Sequence, residues 1–487
     1  MAVNYLKIIE ASEELLRNGQ VAKAAQNFKK IRLSKVVTKD AVHVAQFARR
    51  TGQITAGLKV LQRQISKKQT VDRQNLEFKA EYANVLTLIG CVTEALGILA
   101  EVTTQSIPEA LLAKSWCHFE VWEYSKAIPL LKKYVRVQSD EYLRLAGYVN
   151  LAEALLGAGD PVSAIAIATK AAAEAKRKYY TRLLANALHI RAQAYELQHD
   201  LAKSNSDLKQ AMEIFGSSLT SDAFLIRRQI AINDSIRNKK AASLVKAKDE
   251  ALGLGEYESL RHLDYKSLEI KFNNEVFNHL YYGSPYEHFR TRLLKRFPQG
   301  KIRRNYIWGD KSGTALDLST ENVHFGTKSV EITPQVHRLL LTLINDSYNP
   351  VRIGGIYSSS FPGSHFIADH SSTVVHQALK RLRQWFEENE IPLTVECTKR
   401  RYRLIQLKPV GIILSKDSFK ELEGLSTIQK LRRAFVIAHE FGMTDAIDVL
   451  GISKASAHRA LVSEIMSGNI EKKHKGRNTK YVIKAGE

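Results

Sequence analysis

Ser453, Lys454, Ser456, His458 and Arg459 lie together near the C-terminus. These are side-chain types that hydrogen-bond base edges and pair with phosphates. Gly451 precedes them as a tight turn, and Ile452, Ala457 and Leu461 recur at the spacing of an inward helical face. Two short runs follow, Ile470 to Lys473 and Thr479 to Ile483, and between them stand Lys475 and Arg477. Such a hairpin carries cations at its tip, as phosphate contact requires. A second set stands upstream. Thr373, His376, Gln377, Lys380 and Arg383 occupy the polar faces of a helix predicted over Ser371 to Asn389, whose Val375, Leu379, Leu382 and Phe386 form the buried stripe. Lys399, Arg400 and Arg401 then form the tip of a hairpin spanning Leu393 to Leu404. The chemistry implied is recognition of an anion-rich partner, double-stranded DNA first among them.

Bond-breaking chemistry has no comparable set. The chain contains no phosphate-cradling Gly-Lys-Ser/Thr loop, no Gly-x-Gly-x-x-Gly, no His-Glu-x-x-His and no Gly-x-Ser-x-Gly. His365, His370 and His376 are close in sequence, but Asp369 is their one nearby acid and no cysteine joins them, so they read as solvent-facing or DNA-facing. His439 beside Glu440 reads as surface. We therefore expect no enzyme, no catalytic residue, no cofactor and no metal. Cys91, Cys117 and Cys397 are too few and scattered for a disulfide framework.

The elements that would position the upstream set, Thr373 to Arg383, begin after Pro298-Gln299-Gly300, where composition shifts to Gly, Ser, Thr, Pro and β-branched residues. Short strands are expected from Leu316 to Phe325 and from Val330 to Ile332. Thr333-Pro334 then caps and opens a helix with Val336, Leu339, Leu340 and Leu343 on one face. The order of elements, with Arg381-Leu382-Arg383 and Tyr402-Arg403-Leu404, resembles the effector domain of OmpR/PhoB-type response regulators over roughly residues 310 to 407. That resemblance implies a winged helix; Arg401 stands where the family usually has Gly, and no receiver domain precedes it. For the C-terminal set, Ser453 to Arg459, residues 409 to 415 read as a connector or strand. A helix from Ser426 to Phe441 follows, then one from Asp445 to Leu450 capped by Thr444, and a third from Lys454 to Ser467 capped by Ser453. Leu450-Gly451-Ile452-Ser453 with Gly476-Arg477 to Tyr481 resembles MarR and IclR-like winged helix-turn-helix families, which implies a second DNA reader.

The remainder, residues 4 to about 285, is rich in Ala, Leu, Lys, Glu and Gln with apolar residues at helical spacing. One pattern returns: a turn residue, a small residue five positions on, and an apolar residue four further. Its instances are Gly19, Ala24, Phe28; Gly52, Gly57, Leu61; Gly90, Ala95, Leu99; Trp122, Ala127, Leu131; Gly159, Ala164, Ala168; and His199, Ser204, Leu208. Small residues at that position let paired helices approach, the packing logic of stacked hairpins. Leu155-Leu156-Gly157-Ala158-Gly159-Asp160-Pro161 and its neighbours resemble degenerate tetratricopeptide repeats, which implies six or more helical hairpins and a groove for a protein or peptide partner. Residues 222 to 285 are expected to cap them.

The expected fold is thus mainly α: a repeat solenoid over 1–285, a linker over 286–310, and two α+β winged-helix domains over 311–408 and 409–487. The 72 Lys and Arg against 50 Asp and Glu give a formal charge of +22 that favours nucleic acid. No apolar run approaches the roughly 20 residues that span a bilayer, and the N-terminus opens into a helical pattern, so a cytoplasmic location without membrane contact is expected. The expected function is DNA-binding transcription regulation, with homodimerisation compatible; the alternative is a repeat adaptor whose winged helices contact protein.

Overall fold

The computed structural model describes residues 5–17, 20–65, 73–102, 107–216, 220–320, 322–361, 364–419, 427–428, 431, 440–450, 452–473 and 479–484. Its first half is built by the turn-small-apolar pattern. Gly52, Gly90, Trp122, Gly159 and His199 each take positive φ, between 61° and 99°, at the bend between two helices. A left-handed residue cannot continue a helix, so the chain reverses there. The small residue that follows is buried in every copy: Ala24, Gly57, Ala95, Ala127, Ala164 and Ser204. At Gly57 a Cβ would stand 3.3 Å from the Ala45 carbonyl oxygen and from the Ala48 Cβ. Smallness here sets the distance between paired helices.

Seven hairpins result among the described residues. They are α1 (Tyr5–Arg17) with α2 (Val21–Phe28), α3 (Thr38–Arg50) with α4 (Ile54–Ile65), α5 (Arg73–Ile89) with α6 (Val92–Val102), and α7 (Pro108–Glu120) with α8 (Tyr124–Val137). Then come α9 (Glu141–Gly157) with α10 (Pro161–Arg177), α11 (Thr181–Leu197) with α12 (Leu201–Phe215), and α13 (Ser221–Asn238) with α14 (Ala242–Leu254). Asp140, Asp160, Asp200 and Thr220 cap α9, α10, α12 and α13 by accepting from a backbone N–H in the first turn. Arg17 of α1 lies 3.7 Å from the Asp140 carboxylate and 4.8 Å from the Tyr142 ring centre, so the array curls back on itself. No helix among the described residues is long and apolar enough to cross a membrane.

Helices α15 (Tyr257–Ile270), α16 (Asn274–Tyr282) and α17 (Glu287–Arg296) extend the helical part. The span 286–310, expected as a linker, thus contains α17 and also β1 (Asn305–Gly309). Tyr282 and Tyr306 of β1 stack at 5.1 Å with nearly parallel rings, which ties that span to α16.

An α+β unit follows: β2 (Ala315–Asp317), β3 (His324–Phe325), β4 (Lys328–Ser329), α18 (Pro334–Asn345), β5 (Val351–Arg352), α19 (Ile353–Ser360), α20 (Ala368–Glu388), β6 (Leu393–Thr398), β7 (Arg401–Gln406) and β8 (Gly411–Ser415). Its larger sheet runs β1-β8-β2-β3-β4, with β8 antiparallel to β1 and parallel to β2. The segment 409–415, expected as a connector or strand of the C-terminal domain, thus holds an interior strand of the preceding unit. Its burial explains the apolar Val410, Ile412 and Leu414. The strand expected at Val330 to Ile332 sits earlier, at β4, and Val330 instead closes the turn by donating its N–H to the Val323 carbonyl at 2.9 Å. Thr333 caps α18 as expected. The smaller sheet is β5-β7-β6.

The C-terminal segment has β9 (Glu440–Phe441), α21 (Met443–Leu450), α22 (Lys454–Met466), β10 (Ile470–Lys472) and β11 (Tyr481–Ile483), with sheet order β10-β11-β9. The helix expected to reach Phe441 gives way there to a strand, because Phe441 packs its ring 5.8 Å from Tyr481 and pairs with β11; Ser426 lies outside the described residues. Thr444 does not cap α21, which begins one residue earlier. Asp445 accepts the Gly442 N–H at 2.7 Å.

Candidate functional site

In the C-terminal unit, Ser453 caps α22: its hydroxyl accepts from the Ser456 N–H at 3.3 Å. Ala457 and Leu461 are fully buried under this helix. Ser453, Lys454, His458 and Arg459 are exposed and Ser456 half-buried, so the predicted group shares one accessible helix start. Arg459 folds toward the Ser456 hydroxyl at 3.3 Å. The hairpin β10-β11 stands beside this helix, and Lys475 and Arg477, expected at its tip, lie outside the described residues.

The α20 set is arranged differently. Thr373, His376, Gln377 and Lys380 are exposed. The Thr373 hydroxyl donates to the Asp369 carbonyl at 3.0 Å, and a His376 ring nitrogen lies 2.9 Å from the Tyr402 hydroxyl. Arg383 is half-buried and donates to the Val395 carbonyl at 2.8 and 3.3 Å. Its guanidinium knits the helix to β6. Lys399 and Arg400 both take positive φ, 51° and 63°, so the hairpin turns in two residues.

That tip touches the chain's own repeats on one side. Arg400 donates to the Thr55 hydroxyl of α4 at 3.2 Å, and the Lys399 ammonium lies against Gly255, in the turn before α15. Arg401 turns inward, donating to Asn349 Oδ1 at 2.7 Å, with its guanidinium 5.8 Å from the Tyr257 ring centre. Burial, then the nearby Arg352, lowers its proton affinity from the usual arginine value, against the pull of Glu120. Lys399 and Arg400 remain exposed at the tip, while Arg401 is half-buried.

The start of α20 is held as well. Gln62 of α4 donates to the Phe366 carbonyl at 2.7 Å and accepts the Ala368 N–H at 3.0 Å. Glu94 of α6 accepts the Phe366 N–H at 3.0 Å and lies 3.1 Å from His365, whose hydrogen bond to it raises the imidazole pKa. Lys59 pairs with Asp369 at 2.8 Å. Arg352 reaches Glu120 of α7 at 2.9 Å. Backbones touch too: a Cβ on Gly90 would stand 2.7 Å from the Gly355 nitrogen, and one on Gly354 would stand 2.6 Å from the Cys91 sulfur and the Ile89 carbonyl oxygen. The turn between α5 and α6 and the first turn of α19 are in direct contact.

Sequence reading missed this junction. Arg352, Glu120, Glu94 and Gln62 carry no motif and lie more than two hundred residues from their partners. The signal available was Gly354-Gly355, a pair of residues without side chains, where close backbone approach is a usual reason for glycine.

No protein-family model and no curated protein matches the chain. Among solved structures, the chain is similar to "MamA MSR-1 C2" at 15% identity, covering 36% of this chain and 95% of that one with a TM-score of 0.28. It is similar to a tetratricopeptide repeat protein from Parabacteroides merdae at 16% identity, covering 57% and 96%, TM-score 0.31. A third is the TPR domain of P58(IPK), at 14% identity, covering 79% and 98%, TM-score 0.20.

Proposed function

We propose that this chain is a tetratricopeptide-like repeat scaffold that binds a folded α+β module of its own sequence, and that this module is a winged helix of the OmpR/PhoB type kept closed by the contact. The observation that carries the reading is the engagement of both elements such a domain uses on DNA. The start of α20 is bonded to Gln62 and Glu94, and the hairpin tip is bonded to Thr55. Protein contact, the alternative drawn from the sequence, thus describes the first module in its docked state.

A second reading applies to the C-terminal unit. Its capped helix leaves Lys454, His458 and Arg459 accessible beside a hairpin, which favours DNA contact, since the first turn of a recognition helix reads base edges while cations beside it meet phosphates. The chain is then a transcription regulator with one open reader and one reader held in reserve. A gel shift of the full chain against genomic fragments at two salt concentrations tests this. Arg459→Ala is expected to weaken binding, and Lys380→Ala to leave it unchanged in the closed chain. Absence of any bound fragment, or equal loss in both variants, contradicts the reading.

A further inference from the structure

The connection between α2 and α3 gathers positive charge that the fold leaves uncompensated. Residues 20 to 65 carry ten Lys and Arg against one acid, Asp40, which is itself buried at 8% exposure. Three of those cations are taken, Arg49 by Glu81, Arg50 by Glu13 and Lys59 by Asp369. Lys29, Lys30, Arg32, Lys35 and Lys39 stand exposed between the end of α2 and the start of α3, and among the described residues none of them pairs with a carboxylate. Like charges held together destabilise a compact chain by self-repulsion, and they raise the local concentration of a polyanion.

This connection is pinned in place. It contains the single tight turn Leu33–Lys35, and the last turn of α4 is bonded to it twice: Thr38 Oγ1 donates to Gln64 Oε1 at 2.8 Å, and Arg63 donates to the Leu33 carbonyl at 3.2 Å. Arg63 thereby adds a sixth exposed cation to the group. Its neighbour Gln62 bonds Phe366 and Ala368. Adjacent residues of one helix thus hold the basic connection and the start of α20, and an α-helix is only about 10 Å across. At His365, one residue before Phe366, the hydrogen bond from Glu94 raises the pKa against burial and against the charge of Arg459. The exposed start of α22 and the basic connection therefore both adjoin the start of α20.

We propose that the α2–α3 connection, together with Arg63, is a binding surface for the sugar-phosphate backbone of duplex DNA, so that the repeats themselves hold the nucleic acid that α22 reads. Charge complementarity supports the partner: a duplex presents one negative charge per roughly 1.7 Å of its axis, and Lys and Arg that neutralise phosphates release its counterions. The choice of a duplex over an anionic lipid surface rests on the reading of α22 as a DNA reader. Lysines and arginines on a turn supply phosphate contacts, which position a duplex without reading its bases. Because these side chains are exposed while the module is docked, the surface holds DNA whether or not the module is released.

The test is fluorescence anisotropy of the full chain with a short random-sequence duplex across a range of salt. Arg32→Ala, Lys35→Ala and Lys39→Ala are combined in one variant, checked for folding by circular dichroism. Each lost phosphate contact lowers the slope of log affinity against log salt by about 0.9, so a fall of about 2 to 3 is expected, with affinity at low salt weaker by about tenfold or more. Removing the same charge at the exposed Lys240, Lys246 and Lys271 is expected to leave the slope nearly unchanged. The proposal is overturned if the first variant keeps the slope of the unaltered chain, if the second loses as much, or if vesicles of phosphatidylcholine and phosphatidylserine retain the chain while the duplex does not. Arg459→Ala separates this surface from the C-terminal reader. Loss in the triple variant alone leaves the surface standing and removes α22 as a reader, whereas loss in Arg459→Ala alone overturns the surface and leaves the reader.

Discussion

Arg261 of α15 donates from one guanidinium nitrogen to both carboxylate oxygens of Asp346, each at 2.7 Å, and so fastens the end of the repeats to the end of α18. The arginine is fully buried, with its guanidinium 4.8 to 5.8 Å from the ring centres of Trp122, Tyr286, Phe289 and Tyr348. Asp346 and Glu258 raise its proton affinity against the effect of burial. Removing one member of such a pair strands a buried charge, typically at about 3–5 kcal/mol. Asp346→Ala is expected to destabilise by that order in denaturant unfolding, and a loss below about 1 kcal/mol would show that the pair does not join the two parts.

Gly90 and Gly52 occupy equivalent turns, at φ 99° and 76°. A side chain on Gly52 meets nothing within 4 Å, whereas one on Gly90 meets Gly355 backbone at 2.7 Å. Both alanine substitutions therefore incur left-handed strain of about 1–2 kcal/mol, and Gly90→Ala adds the displacement of α19. Thermal melts of the two variants are expected to differ, with Gly90→Ala lower; equal losses would place the repeats and module apart.

His189 is buried in the array, where burial, then the charge of Arg228, holds its pKa down at about 3. An unfolded histidine titrates near 6.5. Between those values the unfolded chain binds a proton that the folded chain refuses, so stability falls as pH drops, by about 1.4 kcal/mol per pH unit for one histidine. Glu258 acts in the opposite direction: its raised pKa makes stability fall as pH rises from about 4.5 to 7. His189→Gln isolates the first effect. Its unfolding free energy between pH 6 and 5 is expected to change less steeply than that of the unaltered chain by about one proton. Identical slopes would contradict the buried neutral imidazole.

Arg459 stands exposed on α22. Loss of one phosphate contact lowers the slope of log affinity against log salt by about 1 and weakens binding similarly across sequences. Arg459→Ala is expected to do this in anisotropy titrations with duplex DNA, and an unchanged salt slope would assign the residue to the surface.

The repeats were legible because their rule is local. A helix-breaking residue and a small residue five positions later recur whatever else surrounds them, and the buried Ala95, Ala127 and Ala164 sit where that rule put them. The capped starts at Thr333 and Ser453 were legible for the same reason. The sheet that β8 joins was not, since Gly411 to Ser415 takes its place there only through pairing with β1, about a hundred residues earlier. Exposure of polar residues on α20 could be read from helical spacing. The direction of Arg383 and Arg401 could not, because each is set by a partner, Val395 or Asn349, that spacing along one element does not reveal.

The closed arrangement is tested most directly by charge reversal across the junction, read as duplex affinity. Arg352 and Glu120 pair at 2.9 Å between the module and α7. Arg352→Glu should release the module and raise affinity for genomic fragments at least tenfold, with the gain abolished by Lys380→Ala, and the double reversal with Glu120→Arg should return affinity toward that of the unaltered chain. Unchanged affinity in Arg352→Glu, or no recovery in the folded double variant, would contradict a winged helix held closed by the repeats.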